Sequence, residues 1–218
     1  NMTYNLIGVG NNAKTIKGDG SEYMTAIMYL KPHKTMWKGK VRNICPMADK
    51  AGCVEGCLNT AGRGAMSNVQ AGRLRKTELL FEDRKHFINL LKTDITVFNR
   101  RTINRAIQPC VRLDGTSDNQ FERFGLMEQF PAVQFYDYTK IVKRAYKKLP
   151  SNYHLTLSYS EANPQYANEV RQAVDDTGVN MAVVFGVKSA DDFPATFRGL
   201  PVINGDKDDL RFLDPTHC

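Results

Sequence analysis

Apolar and polar positions along the chain follow two spacings, and the changes between them mark out the elements. Residues 24–30, MTAIMYL, make an unbroken apolar, β-compatible run, the pattern of a buried strand. From residue 64 the spacing lengthens. GAMSNVQAGRLRKTELL and FEDRKHFINLLKTDITVFNRRTINRAI read as helices, with Phe87, Leu90, Leu91, Ile95 and Phe98 on one stripe of the second. Beyond residue 107 the two patterns take turns. PCVRLDG from Pro109, AVQFYDYT from Ala132, YHLTLSYS from Tyr153 and MAVVFG from Met181 read as strands, separated by the helical patterns NQFERFGLMEQF, KIVKRAYKKL and NPQYANEVRQAVDDTG.

Strands alternating with helices of this length predict a parallel sheet of βαβ units, hence an α/β fold. The expected architecture is a single domain over residues 1–218, a partial parallel (β/α) barrel of five or six strands; an open doubly wound sheet would share the same element order. Residues 1–23 stand as an N-terminal extension and 38–64 as a cysteine-containing loop. Each strand candidate ends in polar residues: Arg112, Asp114, Ser117 and Asp118 after the second, Asp137, Tyr138 and Lys140 after the third, Ser158, Ser160 and Glu161 after the fourth. The carboxyl ends of parallel strands form the site face, so these endings are expected to converge near the cysteine loop.

Composition adds bounds. With 218 residues, 42% of them hydrophobic and 24% charged, the chain suits one soluble domain with a full core. No apolar run approaches the roughly 20 residues of a membrane span, and NMTYNLIGVG lacks a signal-peptide layout, so a cytoplasmic location and no membrane partner are expected. The net charge of +7 is unevenly spread. Residues 31–105 hold 16 Lys and Arg against 6 Asp and Glu, whereas residues 150–218 hold 5 against 10. A basic first half predicts a nucleic-acid partner for the 31–105 region, with helix 140–148 (Lys140, Lys143, Arg144, Lys147, Lys148) as a second contact; the alternative is a solvated face.

The densest chemistry lies in CPMADKAGCVEGCLNTAGRG, where Cys45, Cys53 and Cys57 are spaced C-x7-C-x3-C. An odd, clustered set is not a disulfide framework. Three thiolates on a loop suit a zinc ion or three irons of a cubane cluster, each leaving a position open; a closed zinc site needs a fourth donor, and His33, His86, His154, Cys110 and Cys218 are all distant in sequence. The alternative is reduced cysteines packed as small apolar residues. Gly52 and Gly56 favour a tight wrap of the loop.

Taken together, the cysteine segment, VRLDGTSD, FYDYTK, NYHLTLSYSE, VNMAVVF and GDKDDLRFLDP resemble the bacteriophage family catalogued as gene product 88, from about Trp37 to Pro215. The resemblance implies phage or prophage origin, and so a host cytoplasm. A fainter similarity, in the cysteine loop and the strand ending Tyr-Thr-Lys, points to radical S-adenosylmethionine-like partial barrels. These carry three cysteines after the first strand, although their usual spacing is C-x3-C-x2-C. That likeness implies an iron–sulfur cluster and S-adenosylmethionine as cofactors, with Asp114 or Asp118 accepting the methionyl amino group.

Site residues follow. Cys45, Cys53 and Cys57 are the expected metal ligands; Asp114, Asp118, Tyr138 and Lys140 the catalytic candidates; Arg112, Ser117, Ser160 and Glu161 the substrate or cofactor contacts. Asp118 also suits a helix cap before Asn119. The carboxylates of GDKDDLRFLDP read as a solvated turn with Arg211 pairing one of them. The expected function is a phage-type metalloprotein with S-adenosylmethionine-dependent activity on a nucleic acid or nucleotide. Alternatives are a zinc-containing nucleic-acid-binding protein without catalysis, and a metal-dependent DNA nickase in which a tyrosine of FYDYTK, Tyr136 or Tyr138, attacks the phosphodiester with Lys140 nearby.

Overall fold

The apolar run at residues 24–30 supplies the strand on which the sheet is built. The computed structural model describes residues 4–11, 13–54, 57 and 62–218. Strands β1 (Ile7–Gly8) and β2 (Lys14–Ile16) both pair antiparallel with β3 (Glu22–Met28), so the N-terminal segment joins the sheet. Its anchor is Asp94, buried in the second long helix, whose carboxylate accepts from the Asn5, Leu6 and Ile7 amides at 3.1, 2.6 and 3.3 Å.

A separate hairpin, β4 (Lys34–Trp37) and β5 (Lys40–Asn43), leads into the cysteine loop. Two helices follow, α1 (Ser67–Glu82) and α2 (Arg84–Ile103). They break at Asp83, whose side chain caps α2 by accepting from the His86 amide at 2.9 Å. Next come β6 (Gln108–Arg112), the one-turn α3 (Leu126–Gln129), β7 (Gln134–Thr139), β8 (Tyr153–Ser158), α4 (Pro164–Thr177) and β9 (Met181–Ala182). A small hairpin of β10 (Thr196–Phe197) and β11 (Leu200–Pro201) precedes the C-terminal segment.

β3, β6, β7, β8 and β9 are parallel neighbours in strict chain order, and among the described residues β9 does not pair back to β1. The chain is therefore a mixed α/β domain with a mostly parallel, open sheet. The order never reverses, as a doubly wound sheet requires.

Two expected helices take other forms. Residues 119–130 divide at Gly125, whose φ of 68° ends a 3-10 turn and starts α3. Residues 140–148 form only a 3-10 turn, Val142–Tyr146, because the segment turns inward to bury Arg144 completely. The expected strand at Met181 is two residues long.

One core lies between α1, α2 and the sheet, where Phe87, Leu91, Ile95 and Phe98 meet Met28, Val111 and Phe135. Another packs α4 on Leu157 and draws in Ala51 of the cysteine loop. The opposite face carries Cys110 and Tyr136, covered by Leu210 and Phe212 of the C-terminal segment.

Candidate functional site

The carboxyl ends of β3, β6, β7 and β8 open onto a cavity of about 400 Å³, closed on one side by the cysteine loop. Cys45, Cys53, Cys57, Arg112, Asp114, Ser117, Asp118, Tyr138 and Lys140 all line it. Ser160 and Glu161 do not; β8 contributes Ser158 instead. The polar endings expected to meet do meet, except beyond β8, where the chain turns away. Glu161 there pairs with Arg198 at 3.0 Å and Ser160 accepts from the Ala162 amide at 3.3 Å.

The cysteine loop is a wound turn. Ala48 N–H donates to Cys45 O at 3.0 Å, Ala51 N–H to Met47 O at 2.9 Å and Cys53 N–H to Ala48 O at 3.1 Å. Gly52 is required twice over: its φ is +65°, and a Cβ there would sit 2.6 Å from Ala162 Cβ. Gly56 lies outside the described residues. None of the five cysteines is in a disulfide.

Cys45 Sγ donates to Thr116 O at 3.4 Å. Burial pushes its thiol up to about 11. Burial also raises Cys53, against the charge of Lys140. Both thiols thus favour the protonated form until a cation compensates the charge. The sulfurs share one cavity wall, but among the described residues no three His, Cys, Asp or Glu groups stand together as a metal-holding set. Uncharged thiols have no mutual attraction that would draw them into a chelate.

His33 is the distant donor that folding delivers, for it lines the same cavity. Its Nε2 lies 3.2 Å from Asp49, an orienting carboxylate such as metal-bound histidines use. Only its position after β3, across a hairpin from Cys45, could have signalled this.

On the β6 side, Asp114 accepts at Oδ1 from Ser117 Oγ (2.6 Å) and the Asn119 amide (3.0 Å), while its buried Oδ2 has no partner among the described residues. Burial, then Asp137, holds its carboxyl well above the usual range. Asp114, not Asp118, takes the Asn119 amide, and the cap expected of Asp118 is not formed, since the 3-10 turn starts only at Phe121 with Gln120 before it and no side-chain cap bond. Both Asp118 oxygens are engaged: Oδ1 accepts from Thr139 Oγ1 (2.8 Å) and Arg144 Nη1 (3.0 Å), Oδ2 from the Lys140 amide (2.7 Å). Asp118 positions the wall. The Lys140 ammonium has no hydrogen bond or ion pair among the described residues.

Arg112 and Tyr138 turn toward the C-terminal segment. Asp209 accepts from Arg112 Nη1 at 2.6 Å and from the Tyr138 hydroxyl at 3.0 Å. The acidic run expected as a solvated turn thus clamps two site residues, although Arg211 does pair Asp214 at 3.3 Å. Strand alternation sends Asp137 to the other face, where it accepts from the Asp114 amide (3.0 Å) and Tyr153 hydroxyl (3.1 Å).

The basic residues are placed differently than their spacing suggested. On α1, Arg73 is buried and Lys76 donates to Leu6 O at 3.1 Å. Arg144 is internal. On the β4–β5 hairpin the exposed Lys34, Lys38, Lys40 and Arg42 surround the exposed cross-strand pair Met36 and Val41, with Lys34 paired to Asp49 and Lys38 to Glu82; Arg84, Lys85, Arg100, Arg101 and Arg105 at α2, and Lys143, Lys147 and Lys148, are exposed as well.

The family model described as Gene product 88 matches residues 5–218. Among curated proteins and solved structures, nothing matches the chain. No helix among the described residues is long and apolar enough to cross a membrane.

Proposed function

The chain belongs to the gene product 88 family of phage proteins, and from that premise we propose that it is a metalloprotein whose Cys45, Cys53 and Cys57 hold an iron–sulfur cluster, with S-adenosylmethionine-dependent chemistry on a nucleic acid or nucleotide. The observation that carries this reading is the shared cavity. Three soft thiol donors line a space of about 400 Å³, large enough for a small organic ligand, together with Asp114, Arg112 and Lys140. A purely structural zinc site has no use for that room.

The chemistry of the donors suits the group: brought together, three cysteine thiolates would ligate three irons of a cubane and leave one iron open. When bound, the cluster would supply one-electron reduction of S-adenosylmethionine. The chain's own groups bind and orient. Asp114 offers an unpartnered buried oxygen to an amine or hydroxyl, and Lys140 offers a cation to a carboxylate. The partial (β/α) barrel belongs to this proposal, supported by the sequential order of the parallel strands. A nucleic-acid contact is supported by the β4–β5 hairpin, whose cations and exposed apolar pair adjoin the cysteine loop.

A second reading has its own observation. His33 lines the same cavity as the three cysteines, so it would supply the fourth donor of a closed Cys₃His zinc site if the loop drew the sulfurs together. Anaerobic purification with metal analysis and electron paramagnetic resonance separates the two. Iron and sulfide retained in His33→Ala, and lost in Cys53→Ser, support the cluster. Stoichiometric zinc lost in His33→Ala supports the second reading and overturns the first.

A further inference from the structure

A second chamber of about 470 Å³ lies beside the thiol cavity, and Arg112 and Tyr138 line both. Its apolar wall includes Met181, Val183, Phe185, Phe197, Leu200 and Ile203. Phe185 and Phe197 meet edge to face at 5.4 Å. Its polar wall is made by Thr156, Arg112 and Arg211 with three aspartates of the C-terminal segment.

Three buried polar atoms of residues in that wall have no partner among the described residues, Thr156 Oγ1, Arg112 Nε and Arg211 Nε, and a ligand in the chamber reaches them as these side chains turn toward it. Thr156 is 2% exposed and Arg211 8%, so bulk water does not satisfy them. Both arginine atoms are donors, and the threonine hydroxyl donates or accepts, so the missing counterpart is an acceptor edge. Charge narrows the class further. Asp206, Asp209 and Asp214 outnumber the two arginines, Asp209 is already bound to Arg112, and Asp214 to Arg211. A phosphate would meet uncompensated repulsion there, whereas a flat, uncharged ring with carbonyl or ring-nitrogen acceptors meets an apolar wall and donors.

We propose that this chamber binds an uncharged nucleobase-bearing ligand, a nucleoside, with its ring against Phe185 and Phe197 and its acceptor edge on Thr156, Arg112 and Arg211. The proposal rests on the reading of the thiol cavity as a site for chemistry on nucleotides and names the form of substrate held next to it. The Arg112–Asp209–Tyr138 clamp is then the partition between ligand and thiols.

The test is calorimetric titration of the full chain with the four ribonucleosides, their 5′-monophosphates and ribose, with iron measured in the same sample. At least one nucleoside is expected to bind, its monophosphate at least about tenfold more weakly and ribose not at all. Thr156→Val, which keeps the shape of the side chain, should weaken binding by about tenfold, the loss of one buried hydrogen bond. Ile203→Trp, at a partly exposed wall position, should block it. No nucleoside binding, equal binding of the monophosphate, or binding unaffected by both substitutions overturns the proposal. Binding by iron-free protein supports the chamber even where the cluster reading fails; iron without nucleoside binding retains the cluster and removes the chamber.

Discussion

Replacing Arg144 by Met tests how the cavity wall is held. The guanidinium is fully buried, with Nη1 3.0 Å from Asp118, and Nη2 3.1 Å from Glu122 and 2.9 Å from the Tyr153 hydroxyl. Burial opposes its charge, yet Tyr153, Glu122, Asp114 and Asp118 outweigh burial and hold it protonated. Removing the cation leaves two nearly buried carboxylates uncompensated, and breaking such a pair costs about 3–5 kcal/mol. For a chain of this size that lowers the melting temperature by roughly 10 °C. The triple variant Arg144→Met, Asp118→Asn, Glu122→Gln removes the charges together. It should recover more than half of the loss, since the carboxamide oxygen introduced by Asp118→Asn still accepts from the Lys140 amide. Circular-dichroism melts of the wild type and both variants are the assay. A single variant melting within about 2 °C of the wild type, or a triple variant less stable than the single, refutes the reasoning.

Three further outcomes are expected. Gly52→Ala meets both a left-handed φ and Ala162, so it should cost about 2 kcal/mol or more, read in a denaturant titration. Burial raises Asp137 to about 6, above its ordinary 3.8, so its contribution to stability is complete below that lower value and lost as pH rises through about 6. Asp137→Asn keeps an acceptor for the Asp114 amide and should flatten the stability profile across that window; an unchanged profile would show that the carboxyl does not titrate there. Finally, if the β4–β5 hairpin meets a phosphate backbone, the slope of log affinity against log salt should fall by about 1 for each of Lys34, Lys40 and Arg42 changed to Ala, and an unchanged slope removes the hairpin as the contact.

How far these features were legible depends on whether their cause is local. The four strands from Met24, Pro109, Ala132 and Tyr153 were readable because each is an apolar run between polar turns. Convergence of Asp114, Asp118, Tyr138 and Lys140 on the cysteine loop followed from parallel topology alone. What escaped depended on distant partners. KIVKRAYKKL has helical spacing, but Arg144 belongs to Asp118, Glu122 and Tyr153, and that demand overrides local propensity. Asp209 sits in a run that reads as a turn; only the fold brings it to Arg112, 97 residues away. His33 was one of several remote histidines until the hairpin folded it onto the cavity.

The arrangement of β6 and β7 explains why the cavity lies where two separate polar networks end. On the face packed against the helices, Asp137 accepts from the Asp114 amide and Arg144 reaches Asp118, so the Asp114 backbone and the Asp118 carboxylate are tied to buried groups. On the opposite face, Arg112 and Tyr138 are tied through Asp209 to the C-terminal segment. Adjacent residues on a strand point to opposite faces, so two networks that share no hydrogen bond among the described residues still deliver Asp114 and Tyr138 to one strand-end cavity. The fixed wall of that cavity is therefore cross-braced from both sides of the sheet. The wall facing it, the cysteine loop, is held by its own backbone turns, by Asp118 N–H on Ile44 O at 2.9 Å and Cys45 Sγ on Thr116 O at 3.4 Å, by the packing of Ala51 on α4 and by the Lys50–Glu169 pair at 2.8 Å. Cys45 is thereby fixed to the β6 side of the cavity and Ala51 to α4, so the binding groups and the start of the cysteine loop are set by the fold before any ligand arrives.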